Sequence, residues 1–128
     1  MGKQILKGLK YTFLFHCIVA IVFGLTYLLI PNKFATIVQW PLSETFPYRL
    51  LGAALIGFGV SSWLAFKNQL WESVKIVVIM EIVWCGLGTV VMLWGMFTQG
   101  LPTIGWLNTV LMAFFTVTFG FFLIRKKS

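Results

Sequence analysis

Acid is the scarcest chemistry in this chain. Its 128 residues carry three acidic side chains, Glu44, Glu72 and Glu81, against ten Lys and Arg. There is one histidine, His16, and there are two cysteines, Cys17 and Cys85. Charged residues make up 10% of the chain, where an average globular domain has about 25%. These shortages exclude much. Hydrolytic dyads and metal sites need several carboxylates, or His with Cys or Asp, converging on one point. Read along the chain, Glu44 and Glu72 fall in loops on opposite sides, and neither cysteine belongs to a CxxC or to a Cys/His cluster of metal-ligand spacing. No catalytic set, metal or cofactor is expected. Cys17 and Cys85 fall at different depths, which argues against a disulfide, and each reads as a small packing residue.

Apolar side chains fill the space that charge leaves. The hydrophobic fraction is 59% and the mean hydropathy +0.94. A chain this small has too high a surface-to-volume ratio to hide that much apolar area from water. Lipid is the expected solvent for most of it, and one integral membrane domain, residues 1–128, is the expected organisation.

Four apolar stretches stand out, at about 11–30, 48–66, 74–97 and 103–124. Each is near the ~20 residues that a helix needs to cross a ~30 Å hydrocarbon core. None alternates as a barrel strand would. The reading is an all-α protein, a bundle of four antiparallel transmembrane helices. The basic segment before the first stretch resembles a signal peptide, but the apolar run behind it is long and has no small-x-small cleavage site, so it reads as an uncleaved span.

The net charge of +7 sits at the ends of these stretches. Lys3, Lys7, Lys10, Lys67, Lys75, Arg125, Lys126 and Lys127 share one side, and only Lys33 and Arg49 the other. The positive-inside rule then places both termini in the cytoplasm of a multi-pass cell-membrane protein. With the basic residues assigned to topology and headgroups, no nucleic-acid partner is expected. The outer connection, residues 31–47, has an apolar middle and is expected to lie in the interface or to cover the outer end of the bundle.

Small or polar residues recur at four-residue spacing in each stretch: Thr12, His16, Ala20 and Gly24; Ala53, Gly57, Ser61 and Ala65; Glu81, Cys85 and Thr89; Thr109, Ala113, Thr116 and Gly120. In lipid such rows mark helix–helix contacts. Glu81 is the residue of most interest. It lies about two turns into the third stretch, and an acid at that depth costs about 2–3 kcal/mol and is a functional candidate by default. His16, Ser61 and Thr116 come to a similar depth, which gives an expected inner polar layer with Trp84 beside it. A packing pair of Glu81 and His16 is the plain structural alternative. Asn108 and Arg49 form a second, outer candidate group, for which interhelical glue and snorkelling are the plain readings.

The segment Tyr48-Arg49-Leu50-Leu51-Gly52-Ala53-Ala54-Leu55-Ile56-Gly57-Phe58-Gly59, following a first span that ends at Pro31, resembles a pattern in small four-helix bacterial and archaeal membrane proteins of the DoxX-like kind. That resemblance implies a four-helix bundle. Some members are similar to membrane subunits of oxidoreductase complexes, and eukaryotic relatives in the wider group bind sterol-like ligands through acids in the bundle. Small multidrug transporters also have four short helices and a membrane Glu, but on the first helix, where this chain has none. The expected activity is therefore the binding of an apolar ligand or lipid, or an accessory role in a larger membrane complex. A proton- or cation-coupled transporter using Glu81 is the alternative. The expected partners are the bilayer, such a ligand or complex, and a second copy of the chain.

Overall fold

A computed structural model describes residues 5–40, 46–68 and 70–125. Among the described residues the chain forms five helices: α1 (Lys7–Leu29), α2 (Pro31–Val38), α3 (Phe46–Asn68), α4 (Trp71–Thr98) and α5 (Ile104–Ile124). All except α2 are long and apolar enough to cross a membrane. Their outward faces confirm what they require of their surroundings. Ile18, Val22, Leu25 and Leu29 on α1, and Ile76, Ile79, Val83, Leu87 and Val90 on α4, form exposed apolar stripes at helical spacing. At about 1.5 Å per residue, α5 is roughly 31 Å long and α4 roughly 42 Å, so α4 outruns a ~30 Å core unless it tilts.

The α3–α4 and α4–α5 connections are short and made by turn chemistry. Asn68 Oδ1 accepts the Leu70 amide at 3.2 Å between α3 and α4. Gly100, at φ +59°, makes the left-handed turn after α4 that a side chain would disfavour. Pro31 starts α2, where its missing N–H costs nothing. The outer connection is thus partly helical. Its buried residues, Pro31 and Ala35, face inward, and Phe34 packs edge-on to Tyr27 at 5.7 Å. Lys3, Glu44, Lys126 and Lys127 lie outside the described residues. Glu72, expected in a loop, is in the first turn of α4.

The long helices pack as two pairs. α1 runs along α3 and α4 along α5, while the pairs touch each other sparsely. The α1–α3 seam is set by backbone proximity. A Cβ on Gly52 would come 2.7 Å from both the Gly24 carbonyl oxygen and the Leu28 amide nitrogen, so only glycine fits there. The first-stretch row of small residues is the buried face, with Thr12, His16, Ala20 and Gly24 all enclosed. The second-stretch row is buried only at Ala65. The buried residues of α3 include Gly52, Gly59, Ser62 and Ala65, whereas Ala53 and Gly57 face outward and nothing packs on Gly57. The seam needs glycines at a seven-residue spacing, and a four-residue row drifts off that face.

The two pairs meet in a buried cluster that includes Leu9, Phe13, Trp71, Val74, Val78, Phe115 and Phe119. Phe13 and Phe119 pack at 5.3 Å between ring centres. On the Gly24–Asn108 side of this cluster the pairs stay apart, and a cavity of about 430 Å³ lies between them.

Candidate functional site

His16 lies where all four long helices converge. It projects from the buried face of α1 and is 3% exposed. Its Nδ1 lies 2.8 Å from Ser62 Oγ on α3. Its Nε2 lies 2.5 Å from Glu81 Oε2 on α4. From α5, Phe115 meets the imidazole edge-on at 4.8 Å and Phe119 at 6.0 Å. One side chain thus ties the two helix pairs together at the floor of the cavity.

Glu81 is 0% exposed. Its Oε2 is in contact with His16 Nε2, and apart from that contact neither Oε1 nor Oε2 has a hydrogen-bond partner among the described residues. The proximity makes this an acid–imidazole pair, and the geometry leaves it under-satisfied. An under-satisfied buried carboxylate is costly, since fully made networks are what offset desolvation.

The expected polar layer is corrected in two places. Ser62, not Ser61, reaches His16, and Ser61 returns its hydroxyl to the Phe58 carbonyl at 2.8 Å. Thr116 donates to the Met112 carbonyl at 2.8 Å and presents its methyl group toward Gly86. Threonines in apolar helices commonly bond back one turn in this way, and Thr12, Thr89, Thr109 and Thr118 do so too. That leaves Glu81 without a threonine hydroxyl.

Cys85 reads along the sequence as a packing residue, because His16, which the fold brings beside it and Glu81, is far away in the chain. It is buried one turn beyond Glu81 on the same face of α4. Ligand atoms of His16, Glu81 and Cys85 all lie within 4.8 Å of one another.

The cavity rises from this floor. His16 and Cys85 line it, together with Ala20, Leu55, Trp84 and Met112. Trp84 is wedged against Phe58 at 5.2 Å. Two lining residues, Leu87 and Val91, are exposed on the outer face of α4, so the cavity opens sideways between α3 and α4. Asn108 also lines it and is shared with a second cavity of about 150 Å³ under α2. Arg49 does not join Asn108. It donates to the Leu28 carbonyl and ties α3 to the end of α1.

No protein-family model, no curated protein and no solved structure matches this chain.

Proposed function

We propose that this chain is an integral membrane binding protein that holds an apolar or lipid-like molecule between its two helix pairs, with the polar end of that molecule at His16. The observation that carries this reading is a sideways-opening apolar cavity with a polar floor. Its volume of about 430 Å³ falls within the roughly 300–1,000 Å³ of small-molecule sites. Its mouth, between α3 and α4 and flanked by Leu87 and Val91, faces where acyl chains would lie. A ligand entering from the bilayer would keep its apolar body against Leu55, Trp84 and Met112, and its polar end would rest beside the His16–Glu81 pair.

The bundle arrangement supports the same reading. Gly24 against Gly52, Ile21 against Gly59 and His16 against Ser62 are the pairings of antiparallel neighbours. The end rich in Lys and Arg is then cytoplasmic, both termini included, and the cavity belongs to the outer half of the bundle. The resemblance of its Tyr48–Gly59 segment to the DoxX-like group, whose wider relatives bind sterol-like ligands, agrees with this reading. The transporter reading is less favoured. It needs a route from the cavity to the cytoplasmic face, and Phe13, Val78 and Phe119, each 0% exposed, fill that route.

Native mass spectrometry after gentle extraction tests the proposal. A bound lipophile of one-to-one stoichiometry, released at least tenfold more readily from His16→Ala, is the expected result. A chain that emerges free of lipophile and takes up no added fatty alcohol, sterol or isoprenoid would refute it.

A further inference from the structure

We propose that His16, Glu81 and Cys85 form a binding site for a divalent transition metal, with Zn²⁺ the best fit. The donor set is one imidazole nitrogen, one carboxylate and one sulfur, all of which zinc accepts. Their ligand atoms lie within 4.8 Å of one another. A tetrahedral zinc centre, with bonds of about 2.0–2.3 Å, needs ligand separations of roughly 3.3–3.7 Å. The widest pair must therefore draw in by at most about an ångström, and the short His16–Glu81 contact must lengthen by somewhat less.

Three independent features support a metal here over a plain packing pair. Glu81 is fully buried, and apart from the His16 contact its carboxylate oxygens have no hydrogen-bond partner among the described residues, so a cation would supply what they lack. The second nitrogen of His16 is already held by Ser62 at 2.8 Å, the outer contact that ordinarily fixes the tautomer and aim of a metal-binding imidazole. Charge also balances. Zn²⁺ with a thiolate, a carboxylate and a neutral imidazole sums to zero, which is what a site shielded from water requires. Loading conserves that charge. The Cys85 thiol gives up one proton and the His16–Glu81 pair another, and two protons leave as one Zn²⁺ enters. His16 and Cys85 line the cavity, so the fourth coordination position faces it, an arrangement of three protein ligands plus one open place.

The metal site does not depend on the lipophile reading, because it can be tested with the cavity empty. Chain reconstituted in nanodiscs, stripped with a chelator, is titrated with Co²⁺ as a visible stand-in for Zn²⁺. The expected result is one Co²⁺ per chain, with the absorption of tetrahedral cobalt and a thiolate-to-cobalt band, both displaced by Zn²⁺. Cys85→Ser should lose the thiolate band, and Cys17→Ser should keep it. Sub-stoichiometric uptake by folded protein, or a thiolate band that survives Cys85→Ser, would overturn the proposal. Should Cys85→Ser not fold, X-ray absorption of the unaltered chain loaded with Zn²⁺ decides. One sulfur near about 2.3 Å is expected, and a shell of nitrogen and oxygen alone refutes the site.

Discussion

The two halves of this bundle are built from the same helices and differ sharply in how those helices meet. Around Phe13, Val78 and Phe119 the α1–α3 and α4–α5 pairs close on one another, and large side chains interlock without exposure. Around Ala20, Leu55 and Gly88 the pairs stand apart and leave about 430 Å³ between them. Composition does not explain the difference, since both halves are apolar. In the packed half Phe13 of α1 and Phe119 of α5 meet across the centre at 5.3 Å. The other half gives its closest approach to the Gly24–Gly52 seam, which draws α3 onto α1 and leaves the centre unfilled. A membrane bundle lacks the pressure of water against a void, so a cavity can persist here that a soluble core of this size would collapse. His16 and Glu81 lie on the boundary between the two halves.

Substitutions that treat the halves alike should have unlike effects. The largest is expected from Phe119→Ala, which opens a void in the packed half and should cost about 3–5 kcal/mol. The matching truncation Leu111→Ala, on the cavity wall, should cost under about 1.5 kcal/mol, because the cavity already exists there. Equal losses in mixed-micelle unfolding would remove the contrast.

Next in size is the boundary pair. Glu81→Leu should cost about 1–3 kcal/mol, because His16 Nε2 loses its buried partner while an under-satisfied carboxylate is removed with it. Adding His16→Leu should recover part of that loss, and a double-mutant cycle reads the coupling directly.

Gly52→Val tests the seam. Its new Cβ meets backbone atoms of Gly24 and Leu28 that cannot yield, so a loss of about 2–3 kcal/mol is expected. Gly57→Val, at a position with nothing within 4 Å, should be close to neutral in the same assay.

The smallest effect on stability belongs to Leu55→Phe, which grows into the cavity. Unfolding should shift by less than about 1 kcal/mol in either direction, while uptake of an apolar ligand should fall by tenfold or more. Ligand uptake that is unaffected would place the ligand elsewhere.

The four spans could be read from the sequence because hydropathy and length carry them directly, and each fell within a few residues of its helix. Glu81 and His16 were legible for a related reason, since polar groups in apolar runs are few and depth along a helix can be counted. Azimuth was not legible. Ser61 and Ser62 share a depth and differ only by the ~100° between successive helical residues, and it was the crossing of α1 and α3, fixed by Gly24 and Gly52, that turned Ser62 inward. Thr116 failed for a local reason, because its hydroxyl finds a carbonyl on its own helix before any neighbour. Cys85 needed the third dimension altogether, as nothing in its sequence neighbourhood points to a histidine sixty-nine residues earlier. The cavity, too, depends on how the pairs splay, which the pattern of small residues does not encode.

The central claim is that the hollow half of the bundle holds an apolar molecule against His16. Photolabelling in nanodiscs with a diazirine-bearing long-chain alcohol, mapped by mass spectrometry, tests it most directly. Saturable labelling of Leu55, Trp84 and Met112, lost in Leu55→Phe, is expected. Non-saturable labelling confined to lipid-facing positions such as Leu64 and Val117 would contradict it.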